Sequence, residues 1–305
     1  MTNIIFFGTS FFSIPILEAL LENNYNIINV ITQSPKKSNR GQKISKSPVH
    51  TFAEEKNLKI QCPKKIKELE KYFNSTEFDL AIVVAFGQII PKNILKLSKY
   101  GFVNVHASIL PKYRGAAPIQ RAIISQDKYT GISIMKMNED LDSGPVCNQY
   151  REKIEDDDNF MSLSKKLSDL GKRKIVENID LIIKGEAKFK EQIHKNATYA
   201  KKINKSESKI DWNLNAKNII GKINGLSPQP GVWFEFSNER YKILKSRHSN
   251  LQGKPGLVMD DSLTVACGSN SIQIEIIQRQ GKKPQKTKEF LLGSKIKKGS
   301  LLQND

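Results

Sequence analysis

The segment Gly101-Phe102-Val103-Asn104-Val105-His106-Ala107-Ser108-Ile109-Leu110-Pro111 sets a carboxamide and an imidazole two residues apart at the end of an apolar run. In a strand, residues two apart share a face, so Asn104 and His106 point the same way near its carboxyl end. That end is where open α/β sheets hold ligands. The pair suits a tetrahedral oxyanion: Asn104 can donate a fixed hydrogen bond, while His106 can donate one and also exchange a proton near neutral pH. Taken alone, the pair reads equally well as a turn-forming asparagine and a hydrogen-bonded strand-end histidine.

The elements that must position these residues follow an α/β rhythm. Ile4 to Phe7 reads as a strand, Gly8-Thr9-Ser10 as a turn, and Ser13 to Leu21 as a helix with Ile14, Leu17, Leu20 and Leu21 on one face. The turn lacks the GxGxxG spacing, so no dinucleotide is implied. Ile27 to Thr32 predicts a second strand, and Ser47-Pro48 an N-cap and first helical position for a helix to about Lys56. Asp79 to Ala85 is apolar throughout its interior, as in a strand covered on both faces. Thr130 to Met137 is the last clear strand of this half, and Phe160 to Ile182 carries helical spacing behind the acidic Glu155 to Asp158. From Ile210 the texture changes to a short helix near Ala216 to Asn224. Brief β-type runs follow at Val232 to Phe236, Tyr241 to Leu244, Leu257 to Met259, Leu263 to Ala266 and Ile272 to Ile277, suggesting a small barrel or sandwich.

Composition narrows the partners. The 305 residues carry a net charge of +18, which attracts nucleic acid, anionic membrane or an acidic substrate. Residues 1–150 hold 19 basic and 12 acidic side chains, 151–184 hold 8 and 8, and 185–305 hold 22 and 11. The last stretch is therefore the most basic, as expected of a phosphate-binding surface, although a solvated lysine-rich surface gives the same count. Cys62, Cys147 and Cys267 are far apart and odd in number, so neither a disulfide framework nor a metal site is expected, and a reducing cytoplasm fits. The apolar start reads as a buried strand rather than a signal peptide, and no run approaches the roughly 20 apolar residues of a membrane span.

The run from Ser108 to Ile123, Ser-Ile-Leu-Pro-Lys-Tyr-Arg-Gly-Ala-Ala-Pro-Ile-Gln-Arg-Ala-Ile, closely resembles the signature loop and helix of the folate-dependent formyltransferases. With Asn104-Val105-His106 before it, the chain is most similar to the branch that formylates methionyl-tRNA. The likeness continues in Val84 to Pro91, Thr130 to Met135, Leu141 to Gly144 and Lys209 to Trp212, and so covers nearly the whole chain.

That resemblance implies a catalytic trio of Asn104, His106 and Asp142, the last 36 positions from the imidazole and unconnected to it by any local pattern. It implies 10-formyltetrahydrofolate as formyl donor, lying along the carboxyl edge against Phe86, Gly87, Gln88, Ile89 and Ile90, against Ser108, Ile109, Leu110 and Pro111, and against Asn138, Glu139 and Asp140. The implied acceptor is initiator methionyl-tRNA, and no metal is required. An amino-sugar nucleotide or a purine precursor is the alternative acceptor for the same trio. The stretch Gln33 to Ser47 carries Lys36, Lys37, Arg40, Lys43 and Lys46 with no acidic residue; a basic loop after strand two can grip acceptor-arm phosphates. Arg40-Gly41-Gln42-Lys43 resembles the tip of the insertion found in the tRNA-acting branch, although Gln42 and Ser45 depart from its usual pattern. The expected architecture is a Rossmann-like, mostly parallel α/β sheet with helices on both faces over 1–185, a linker over 186–205, and a smaller OB-like β-barrel for tRNA over 206–305. A cytoplasmic monomer is expected.

Overall fold

A computed structural model describes residues 2–38 and 43–302. Two compact units divide the chain: Met1–Pro118, Tyr129–Lys153 and Ser164–Ala200 form the first, and Ile119–Lys128, Ile154–Leu163 and Lys201–Asp305 the second.

The first unit opens with β1 (Asn3–Gly8), α1 (Ile14–Glu22) and β2 (Asn26–Ile31). A short antiparallel hairpin of β3 (Lys36–Ser38) and β4 (Lys43–Ser45) precedes α2 (Pro48–Glu55). Ser47 starts α2: its hydroxyl accepts from the His50 backbone N–H at 3.0 Å, and Pro48 stands in the first turn, where a backbone N–H would have no helical partner. Next come β5 (Ile60–Gln61), α3 (Glu70–Asn74), β6 (Leu80–Val84), α4 (Lys92–Leu95), β7 (Phe102–His106), β8 (Arg114–Gly115), α5 (Pro118–Ile124), β9 (Tyr129–Lys136), β10 (Val146–Lys153), α6 (Phe160–Ile183) and β11 (Tyr199–Ala200).

Among the described residues these strands make a seven-stranded sheet in the order β10-β9-β7-β6-β1-β2-β5. The five strands from β7 to β5 run parallel, and β9 is antiparallel to both its neighbours. The order reverses at β1, between β2 and β6, which opens a crevice at the carboxyl ends of β1 and β6. All five residues of β6 are buried, which is why an uninterrupted apolar run encodes it. On one side the sheet packs an aromatic cluster: the Phe7 ring lies 5.4 Å from Phe86, 5.6 Å from Phe102 and 6.1 Å from Phe73. Lys172 of α6 reaches Glu18 at 2.7 Å and Glu22 at 3.0 Å, tying α6 to α1.

β10 has no counterpart among the expected strands. It is an edge strand whose residues are all part-exposed or exposed, so Val-Cys-Asn-Gln-Tyr-Arg-Glu-Lys lacks a continuous apolar signal. Its partner β9 also changes the geometry of the following loop. The Met137 N–H donates to the Phe102 carbonyl at 2.8 Å, so β9 ends level with the start of β7. The loop from Met137 to Pro145 must therefore reach back along β7 to approach His106.

The second unit takes in α5 from Ile119 and the first turn of α6, and adds α7 (Ala216–Leu226), β12 (Val232–Phe236), β13 (Glu239–Ser249), β14 (Thr264–Ala266), β15 (Ser271–Arg279), β16 (Gln285–Lys286) and α8 (Thr287–Leu291). Its antiparallel sheet runs β12-β13-β15-β14, with β16 also on β15. The run Leu257 to Met259, expected as a strand, makes only isolated bridges, Leu257 to Leu301 and Val258 to Val265. Trp212 and Phe234 are buried in this unit's core together with Ile219, Ile223, Ile243 and Ile277. Gly221 and Gly225 let α7 lie close to α5: a Cβ on Gly225 would sit 2.6 Å from Ile124 Cγ1 and 3.0 Å from the Gln120 carbonyl. Among the described residues, no helix is long and apolar enough to cross a membrane.

Candidate active site

Asn104 and His106 both lie on β7, where Asn104 pairs with Met135 and His106 with Ser133 of β9. Their side chains are buried, at 9% and 6% exposure, so each polar atom needs a partner or a ligand. His106 Nε2 lies 3.0 Å from the Tyr113 carbonyl. A carbonyl can only accept, so Nε2 carries the proton and Nδ1 is left to face the site. There, 3.6 Å away, stands the Asp142 carboxylate oxygen Oδ2. Asp142 Oδ1 accepts from Asn104 Nδ2 over a long 3.4 Å, and Oδ2 accepts from the Gly115 backbone N–H at 2.7 Å. The three expected side chains are thus brought together, with the carboxylate anchored by a backbone donor.

This anchoring has two local requirements. Asp142 holds φ 48°, a left-handed conformation that Asp and Asn tolerate better than most residues. Gly115 holds φ 117°, and a Cβ there would lie 2.9 Å from the Ala200 carbonyl, so only glycine can present its N–H at this point.

The loops expected to meet the donor are tied to one another. The Phe86 carbonyl accepts from Thr9 Oγ1 and from Gln33 Nε2, both at 2.9 Å, which fixes the loop after β6 against the crevice. The side chains of Phe86 and Ile90 are buried in the aromatic cluster, and Gln88 turns inward to the Ile66 N–H at 3.0 Å. Gly87 and Ile89 are the exposed members of this stretch, Ile89 at 82%. Lys92 forms an ion pair with Glu139, linking this loop to the one that carries Asn138, Glu139, Asp140 and Asp142. Asn138 Oδ1 accepts from Ser143 Oγ at 2.9 Å within that second loop. The Ser108 to Pro111 stretch is held by Ser133, whose hydroxyl donates to the Ser108 carbonyl at 2.6 Å and accepts from the Leu110 N–H at 3.0 Å. Gln149 of β10 adds a bond to the Leu110 carbonyl at 2.7 Å; Ile109 stays part-exposed.

The basic loop is only partly described. Lys37 and Lys43 stand in the paired strands of the hairpin, and Arg40 lies outside the described residues. Lys36 Nζ donates to Gln33 Oε1 at 2.6 Å, so Gln33 joins the base of this hairpin to the Phe86 carbonyl. Lys46 lies 2.7 Å from Glu54, and this contact holds the Glu54 carboxyl below its ordinary value.

Four further residues enclose the trio, and none had a role assignable from spacing. Arg114 and Gly115 stand inside the signature run, while Gln192 and Thr198 come from the basic stretch 186–205. Gln192 Nε2 donates to the carbonyls of Asp142 at 2.9 Å and Gly144 at 2.7 Å. Thr198 Oγ1 accepts from the Tyr113 N–H at 2.8 Å, and β11 pairs in parallel with β8. A lone glutamine in a polar stretch carries no periodic signal; the one hint is the Thr-Tyr-Ala run, an apolar interruption that buries Ala200.

Residues 2–179 match the Formyl transferase family, and residues 202–295 match the Formyl transferase, C-terminal domain family. Among solved structures, the chain resembles a sugar 3N-formyltransferase, WlaRD, crystallised with dTDP and 5-N-formyl-THF. The TM-score is 0.68 at 21% identity, over 93% of this chain and 99% of that one. HypX from Aquifex aeolicus, in complex with tetrahydrofolic acid, gives a TM-score of 0.66 at 16% identity, over 97% of this chain and 48% of that one. At such identities the likeness is one of fold. Two sequence relatives go further. A methionyl-tRNA formyltransferase of Pelagibacter ubique is 56% identical, covering 99% of this chain and 98% of its own length. One from Paramagnetospirillum magneticum is 40% identical over 98% and 99%. With both domains matched in order and such relatives aligned from end to end, the chain belongs to the methionyl-tRNA formyltransferase family.

Proposed function

We propose that this chain transfers the formyl group of 10-formyltetrahydrofolate to the α-amino group of methionine esterified to initiator tRNA. The observation that carries this reading is the Asp142 carboxylate, anchored by Gly115 and set 3.6 Å from His106 Nδ1 and 3.4 Å from Asn104 Nδ2. A carboxamide donor, an imidazole and a carboxylate converge where an acyl carbon would change hands.

The neutral amine attacks the formyl carbon, a C–N bond forms, and the carbonyl oxygen becomes an oxyanion. Asn104 Nδ2 donates to that oxygen, and His106 presents Nδ1 to the same site because Nε2–H is already committed to Tyr113. Asp142 carries the amine's proton towards N10 of the folate, whose bond to the formyl carbon then breaks. Once both substrates are aligned, direct transfer needs no acyl-enzyme. The donor lies against the backbone of Phe86 to Ile90, Ser108 to Pro111 and Asn138 to Asp140. The exposed Ile89 and the 59% exposed Leu141 offer apolar surface to a flat ring. Lys36, Lys37, Arg40, Lys43 and Lys46 grip acceptor-arm phosphates. The C-terminal domain, an OB-like barrel over residues 206–305, holds the tRNA body with its excess of basic charge. Residues 1–185 form the catalytic domain of what we read as a cytoplasmic monomer.

The test is a choice of acceptor. Offered 10-formyltetrahydrofolate with methionyl-initiator tRNA and, separately, with an amino-sugar nucleotide, the purified protein is expected to formylate the tRNA alone. Formylation of the sugar, with the tRNA untouched, would overturn this reading.

A further inference from the structure

We infer that Gln192 is a positioning residue for the transfer reaction, setting the Asp142 carboxylate through its backbone while Gly115 holds the carboxylate itself. This rests on the function proposed above and adds to it a residue far from the signature run.

Gln192 is 7% exposed, and its amide is fully used. Its two N–H donors go to the Asp142 and Gly144 carbonyls, and its oxygen accepts from Arg114 Nε at 3.1 Å and Nη2 at 2.8 Å. A primary amide offers two donors and two acceptor sites, so nothing is left over. Both carbonyls belong to the turn in which Asp142 adopts φ 48°. Pinning the backbone on each side of Ser143 stops that turn from relaxing to an unstrained conformation, which would swing the carboxylate away from His106. Gly144 has no room to adjust either, since a Cβ there would lie 2.0 Å from the Lys136 carbonyl.

The other end of the bridge is equally fixed. Arg114 is 3% exposed, and its guanidinium also faces His194 Nδ1 at 3.4 Å. Its backbone N–H donates to the Thr198 carbonyl at 2.8 Å. The next residue, Gly115, supplies the N–H that anchors Asp142 Oδ2. Gln192 and Gly115 thus close a ring, Asp142 carboxylate to Gly115, Arg114 side chain to Gln192, Gln192 to Asp142 carbonyl. The segment from Lys190, which exchanges bonds with Val146 at 2.8 and 2.9 Å, to β11 is the wall on which this ring is hung.

Gln192→Glu separates the two halves of this role: a carboxylate still accepts from Arg114 but cannot donate to two carbonyls. The experiment measures full-length Gln192→Glu and Gln192→Met, each alone and in an Asp142→Asn background. Either substitution is expected to lower kcat about tenfold or more, because small displacements of a catalytic group are costly. KM for both substrates should stay within about threefold, and the added loss in the Asp142→Asn background should fall below about twofold. Hydrogen exchange of the Gly115 amide, which needs no substrate, should speed up while the β6 amides stay protected. That readout stands even if the acceptor assay fails. Wild-type kcat in Gln192→Glu, or the same loss factor in both backgrounds, overturns the assignment. So does loss of β6 protection together with Gly115, which would make Gln192 a packing residue.

Discussion

At the scale of single residues, the site depends on one aspartate doing two things. Asp142 must hold a left-handed backbone and present a charge, and these can be separated by substitution. Asn tolerates the same φ and keeps the shape but loses the negative charge, whereas Ala loses both. Asp142→Asn should therefore keep folate binding and lower kcat by about 10²–10³, the usual consequence of removing one electrostatic partner of a transition state. Asp142→Ala should lose a further factor through misplacement of the turn. Single-turnover rates with saturating donor and methionyl-tRNA check this, and equal rates for the two variants would show that the backbone conformation contributes nothing. Asn104 and His106 were legible in the sequence because alternation along a strand places them on one face. Their link to Asp142 was not, because the antiparallel turn of β9 brings that loop back along β7, and no local pattern encodes a return of this kind.

At the scale of elements, legibility followed burial. β6 was readable since both its faces are covered, and α6 since Leu163, Leu167, Ile175, Ile179 and Ile182 all face inward at helical spacing. β10 was not, because an edge strand with solvent on one side is written largely in polar residues, and Leu257 to Met259 deceived because Val258 alone of the three enters the core and the run makes bridges rather than a strand. The helix pair α5 and α7 shows a further limit: glycine weakens a helix, yet Gly221 and Gly225 are what allows the two helices to touch. Gly225→Leu should consequently destabilise the second unit by about 1–3 kcal/mol through overpacking against Ile124, seen as a lower midpoint in urea unfolding. A midpoint equal to wild type would mean the contact is loose.

At the scale of the molecule, the second unit is assembled from separate parts of the chain, and one ion pair joins two of them. Arg121 Nη1 lies 2.6 Å from Glu207 and its Nε and Nη2 donate to the Lys201 carbonyl, while Glu207 in turn accepts from the Asn204 backbone N–H at 2.8 Å. The hydrogen bond from Arg121 lowers the Glu207 pKa from its ordinary value of 4.5. A depressed carboxylate contributes stability that is complete above 4.5 and lost as pH falls through the lowered value. Glu207→Gln should accordingly be less stable than wild type at pH 7 and converge towards it in acid; parallel thermal melts over pH 3–7 measure this, and a constant gap would refute it.

The discontinuity of that unit also has a consequence for birth on the ribosome. Arg121 and Ile124 are made early, but their partners in Lys201–Asp305 are made last. At about 5–20 residues per second, a nascent chain that has completed its first sheet waits on the order of 5–20 s before Ile124 can be covered. During that interval the face of the signature helix that meets Gly221 and Gly225 in the finished protein stays uncovered.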